Sequence, residues 1–129
     1  MSKANKPNPW KKLMANIKLS AKYGSKGGSF KKYQDIQEKE LKLDWYDLKE
    51  AFESQSRECY WLGIPLDPQD IFTPYHPLAV SVDRLDNSKG YIKENIVITS
   101  RLANIGRGST DLDAFGEIVD YIKDYYKNG

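Results

Sequence analysis

The chain has 129 residues, 40% hydrophobic and 29% charged, the size and make-up of one ordinary folded domain, which excludes collagen-like, mucin-like and wholly disordered classes. No run approaches the ~18 apolar residues of a membrane span, the opening MSKANKPNPWKK lacks the apolar core of a signal peptide, and one cysteine, Cys59, excludes an internal disulfide, so an intracellular protein is expected. Net charge is +2, yet residues 1–42 carry eleven lysines against three acids while the remainder is acidic, a distribution that suits either contact with a polyanion such as nucleic acid or a solvated basic leader.

The elements follow in chain order. Asn8-Pro9 reads as a helix cap with proline at the first helical position. Trp10, Leu13, Met14, Ile17 and Ala21 then recur at helical spacing, Lys11, Lys18 and Lys22 take the other faces, and Gly24 closes the pattern. GSKGGS at 24–29 predicts a flexible loop. Residues 31–42 are polar and carry the Lys31-Lys32 pair, with a short strand possible at Leu41–Leu43. Asp44 predicts the cap of a helix through Gln55 with Trp45, Leu48, Ala51 and Phe52 as its inner stripe.

CYWLGIPLDP at 59–68 is a compact apolar loop or short hairpin, and the proline-rich 67–78 that holds His76 is irregular. Leu78–Val82 and Ile96–Thr99 are strand-like runs on either side of DRLDNSKGY, a segment dense in turn formers. A short helix is expected over Ser100–Ile105, broken by Gly106 and Gly108. Thr110 with Asp113 resembles a capping box. Leu112, Phe115, Val119, Ile122 and Tyr126 then give one face of a last helix.

The chemistry concentrates in VSVDRLDNSKGYIKENIVITSRLANIGRG, residues 80–108, where Asp83, Arg84, Asp86, Asn87, Asn95, Arg101 and Asn104 cluster about two short strands. A carboxylate leaving a strand, joined by an amide from the next helix, suits Mg²⁺, which needs few protein oxygens when substrate phosphate and water complete its shell. The same residue types also make an Asp/Asn/Gly turn capped by its own side chains.

SVDRLDNSKGYIKENIVITSRLAN resembles the HNH-type, or ββα-metal, nucleases, especially those of phages, and CYWLGIPL is similar to the Cys-x-x-x-Gly-x-Pro-Leu segment of phage members. The resemblance covers roughly residues 10–108, and 83–104 carry most of it. It implies an α+β fold with a ββα-metal core at about 78–108 behind a basic helical part at 10–55; the residue pattern adds a C-terminal packing helix at about 110–127 and a flexible leader at 1–9, with 10–129 expected to form a single domain. It implies that Asp83 and Asn104 hold Mg²⁺ or Mn²⁺ and that Asn95 fixes the loop. No structural zinc is expected, since only Cys59 is present.

Arg84 stands where the family carries its catalytic His, and arginine cannot take a proton from water. Arg84 then clamps phosphate, or His76 or Asp86 serves as base, or the domain binds nucleic acid without cutting it. The expected function is metal-dependent hydrolysis of DNA phosphodiester bonds, in the cytoplasm of a bacterial or phage-infected cell, by a monomer or homodimer. Lys11, Lys18, Lys22, Lys31, Lys32, Lys89, Arg101 and Arg107 are the expected contacts to DNA, with RNA an open alternative; Arg107 serves equally as part of a helix stop. The other readings are a non-catalytic nucleic-acid-binding or host-interaction protein on the same scaffold, and a protein-binding module using the acidic half. On the nuclease reading, Asp83→Ala removes a metal ligand and leaves the fold intact.

Overall fold

The computed structural model describes residues 6–23 and 40–128. The expected loop at 24–29, most of the polar stretch at 31–42 and the Lys31-Lys32 pair lie outside the described residues. The architecture is mixed α+β, with four α-helices and two small two-stranded sheets among the described residues. None of the described helices is long and apolar enough to cross a membrane.

Helix α1, Pro9–Tyr23, begins where Asn8 Oδ1 accepts the main-chain N–H of Trp10 at 2.8 Å. The five apolar positions of its inner stripe, Trp10, Leu13, Met14, Ile17 and Ala21, are all buried. Trp10 packs on Phe52 with ring centroids 5.4 Å apart. Phe52 belongs to α2, Trp45–Ser54, whose Asp44 and Asp47 form a reciprocal capping box. The inner stripe of α2 is narrower than expected: Leu48 and Phe52 are fully buried, while Trp45 and Ala51 are half-buried.

Residues 59–66 fold back through one antiparallel bridge between Glu58 and Pro65, with Gly63 at φ +67° making the reversal. A 3₁₀ turn at Pro68–Phe72 follows, capped by Asp67. Strand β2 is Val80–Arg84, two residues later than expected. The displacement has a local cause. His76 Nδ1 accepts the N–H of Leu78 at 3.0 Å and the His76 carbonyl accepts that of Ala79 at 3.1 Å, so a turn consumes the start of the apolar run.

Strand β3, Tyr91–Ile92, runs parallel to β1, Leu41–Lys42, a pairing too short to register in a sequence pattern. Strand β4, Ile96–Ser100, pairs antiparallel with β2, setting Val80 opposite Ser100 and Arg84 opposite Ile96. The expected hairpin across DNSKGY is therefore present. Helix α3, Arg101–Arg107, starts on a Ser100 cap. It runs through Gly106, where a β-carbon would meet open space, and stops at Gly108 with φ +51°. The sequence pattern predicts the break at Gly106; that glycine is tolerated inside the helix because it faces outward.

Helix α4, Leu112–Asn128, is capped by Asp111, whose Oδ2 accepts the N–H groups of Asp113 and Ala114, and not by Thr110. Only its first half is seated. Val119 is buried and Leu112 and Phe115 pack on the core, but Ile122 and Tyr126 are exposed.

Gly90 locks the hairpin loop to the incoming chain. A β-carbon there would lie 2.3 Å from the Glu40 carbonyl oxygen, which also accepts the Tyr91 N–H at 2.6 Å. Gly90→Ala should therefore lower stability by about 1–3 kcal/mol, the usual cost of overpacking, as read from the urea midpoint of unfolding. An unchanged midpoint would mean that β1 and β3 are not held this tightly.

Candidate functional site

Strand β2 alternates, so Ser81 and Asp83 share the face that α3 covers. Asn104 and Arg107 stand three residues apart on α3 and therefore meet that face together. Asn104 Nδ2 donates to Ser81 Oγ at 2.7 Å and to the Val82 carbonyl at 3.3 Å. Arg107 Nη1 donates to Asp83 Oδ1 at 2.6 Å, and Trp61 Nε1 donates to Asp83 Oδ2 at 2.7 Å. Asp83 is 4% exposed and Arg107 2%.

Arg107 uses four of its five N–H donors inside the protein. Besides Asp83 it reaches the Arg84 carbonyl at 2.7 Å, the Leu85 carbonyl at 3.0 Å and, through Nε, the Thr110 carbonyl at 3.1 Å. Its guanidinium carbon lies 5.8 Å from the Trp61 ring centroid, and Trp61 meets Phe115 of α4 edge to face at 4.9 Å. The expectation that Arg107 contacts DNA is corrected by this burial: every nitrogen of its guanidinium is spent inside the protein.

Whether a metal fits here depends on the donors themselves. Mg²⁺ and Mn²⁺ take oxygen ligands with free lone pairs. Both Asp83 oxygens already accept hydrogen bonds, one from a full positive charge. The nitrogen side of the Asn104 amide is turned to β2. Among the described residues no group of three or more His, Cys, Asp or Glu side chains gathers. As arranged, a divalent cation at Asp83 would have to compete with the N–H donors on both of its oxygens, the Arg107 charge among them.

Arg84 is turned away from this face. Nη1 donates to the carbonyls of Asn87 and Lys89, both at 3.0 Å, and the guanidinium lies 5.2 Å from the Tyr91 ring centroid. It staples the DNSKGY loop. Asn95 closes the loop from the other side. Its Oδ1 accepts the Asp86 N–H at 2.8 Å, and its Nδ2 donates to the Asp86 and Gly90 carbonyls at 3.0 Å each.

Neither candidate base is well placed to take a proton. His76 Nδ1 is occupied by the Leu78 N–H, and Nε2 faces Asp70 at 3.5 Å. The hydroxyl and main-chain N–H of Ser88 donate to Asp86 and hold its carboxyl below the ordinary aspartate value, with Lys89 adding to the effect.

The basic residues divide. Lys11 and Lys18 stand exposed on α1, as does Lys12, and Lys89 is exposed on the loop. The side chain of Lys22 lies outside the described ones, as do Lys31 and Lys32. Arg101 is half-buried with its guanidinium carbon 5.6 Å from the Tyr75 ring centroid.

The sequence does hold one signal for the buried pair. Arg107 follows Asn104 by three residues, so any helix that delivers Asn104 to β2 also delivers Arg107. Trp61 has no such signal, because its approach to Asp83 depends on the fold of the 59–66 loop.

Asp83→Ala is expected to destabilise the protein by about 3–5 kcal/mol, because it leaves Arg107 buried without its counter-charge. The expectation of an intact fold assumes a carboxylate facing solvent, and is corrected by this burial. A double change with Arg107→Ala should cost well under the sum of the two singles, as measured by denaturant unfolding. Additivity within about 0.5 kcal/mol would show that the two side chains are not coupled.

Compared with protein-family models, curated proteins and solved structures, the chain matches none.

Proposed function

We propose that this chain is a nucleic-acid-binding protein on an HNH-like ββα scaffold, with an internal ion pair where a nuclease of that type would carry its metal. The observation that supports this reading is the outward face of α1. The inner stripe of that helix is fixed in the core, so Lys11, Lys12 and Lys18 are held outward on a rigid element. A rigid array of ammonium groups is suited to backbone phosphate, whose neutralisation releases counterions and needs no base reading. The +8 balance of residues 1–42 acts in the same direction.

A second reading, a metal-dependent endonuclease, is favoured by one observation. Asn95 closes a loop between two antiparallel strands, and a helix carrying Asn104 follows directly. That is the order the resemblance implies. For a cation to reach Asp83, however, Arg107 would have to leave it, and the guanidinium's three other hydrogen bonds inside the protein make that departure costly.

Removing residues 1–32 would be a poor test of binding, since it takes Trp10, Leu13, Met14 and Ile17 out of the core. Lys11→Gln, Lys12→Gln and Lys18→Gln together keep the helix and remove three charges. Binding of a labelled duplex should weaken steeply with salt in the parent. The triple variant should bind more weakly, with a log–log salt slope shallower by roughly 0.9 for each phosphate it no longer neutralises. Salt-independent binding, or none, would overturn the reading. The same protein incubated with supercoiled plasmid and Mg²⁺ or Mn²⁺ should leave it uncut. Nicking that disappears in Asp83→Asn while that variant keeps the parent's circular-dichroism spectrum would establish the second reading instead.

A further inference from the structure

A groove of roughly 410 Å³ lies between α1, β2, α3 and the turn that precedes β2. Its lining contains no carboxylate, although the chain carries eighteen acids. A second cavity of roughly 370 Å³ beside α2 is the opposite case, walled by Asp47, Glu50 and Lys93. The polar surface of the first groove comes from amides, hydroxyls and the His76 imidazole, with Asn16 and Ser20 of α1 among them, and Arg101 is the one permanent charge in the lining. Lys12 stands one turn before Asn16, and Ser20 one turn after it, along the same edge of α1.

At the mouth stands Tyr75. Its main chain is left-handed, φ +61°, and its ring is 82% exposed, while the Arg101 guanidinium covers it at 5.6 Å. An aromatic ring held outward, with a cation over it and an open side to solvent, is a stacking platform. Stacked bases in a duplex already have both faces covered, so such a ring can accept only an unpaired base.

We propose that this groove binds an unpaired nucleotide of a single strand, with its base stacked on Tyr75. Arg101 supplies charge beside the base, and the sugar-phosphate chain follows the Lys12–Asn16–Ser20 edge of α1. The volume suits one nucleotide and is far too small for a duplex. This inference rests on the nucleic-acid reading above, and it adds a preference for single strands that the lysine array alone does not give.

The test compares fluorescence anisotropy of a labelled mixed-sequence 12-mer, as DNA and as RNA, with the matching duplex. Tyr75→Ala leaves no core cavity, because the side chain is already in solvent, and an unchanged melting temperature checks this. The expected result is about a ten-fold loss of single-strand affinity, within what one stacked base contributes. Duplex affinity should be unchanged, and Tyr75→Phe should bind like the parent. Equal loss on both substrates, or no loss on either, would overturn the stacking site while leaving the nucleic-acid reading in place. Failure of the parent protein to bind any of the three probes would overturn both.

Discussion

The Arg107 guanidinium enters the interior between β2 and α3, and the surrounding elements are fixed by what it touches. It neutralises Asp83, binds the carbonyls of Arg84 and Leu85 at the end of the strand, and reaches Thr110 before α4 begins. Trp61 completes Asp83 and carries the packing on to Phe115. A strand end, two helices and the 59–66 loop therefore share one charged centre. Burying such a pair brings little net stability on its own, because desolvation offsets the attraction. Losing either partner is severe, because the other remains charged in an apolar setting. The arrangement therefore defines which element sits where more than it adds to the total.

The same centre governs the chemistry available on this face. A carboxylate can serve a lysine, an arginine, a metal or a proton, but it serves one at a time with the same lone pairs. Asp83 is committed to N–H donors on both oxygens. Arg84 and Asn95 are committed to the loop, where the two side chains bond five times to main-chain atoms between them. What remains open lies further along the same face, where α1 meets β2 and α3: the α1 lysines are exposed and the groove there is lined by no acid. On the nucleic-acid reading proposed above, binding belongs to the surface that α1 forms with β2 and α3 rather than to the hairpin interior.

Much of this is legible in the sequence where one residue type has one plausible use. The α1 stripe, the Asp44 cap and the hairpin across DNSKGY all follow from spacing and turn chemistry, and the five residues of the α1 stripe are all buried, while Leu19, off that stripe, is exposed. The loop-closing geometry of Asn95 follows from the resemblance. Residues with several uses are not legible. Arg107 beside two glycines suits a phosphate contact, a helix stop or a buried ion pair, and only the location of Asp83 decides among them. The β2 start is displaced because His76 builds a turn with its side chain, which apolar periodicity does not record. The last two turns of α4 carry apolar residues at helical spacing, yet Ile122 and Tyr126 find no core to enter, since the buried part of that helix ends near Val119.

The central claim is that Arg107 is the cation of Asp83, and Mn²⁺ tests it most directly. In a ¹⁵N-labelled sample, a bound Mn²⁺ ion broadens the amide signals of nearby residues. Titration should leave the signals of residues 81–85 and 101–107 intact at concentrations that broaden amides near exposed carboxylates. Selective loss of the Asp83 and Asn104 signals, restored by a chelator, would contradict the account and put a metal where the guanidinium stands.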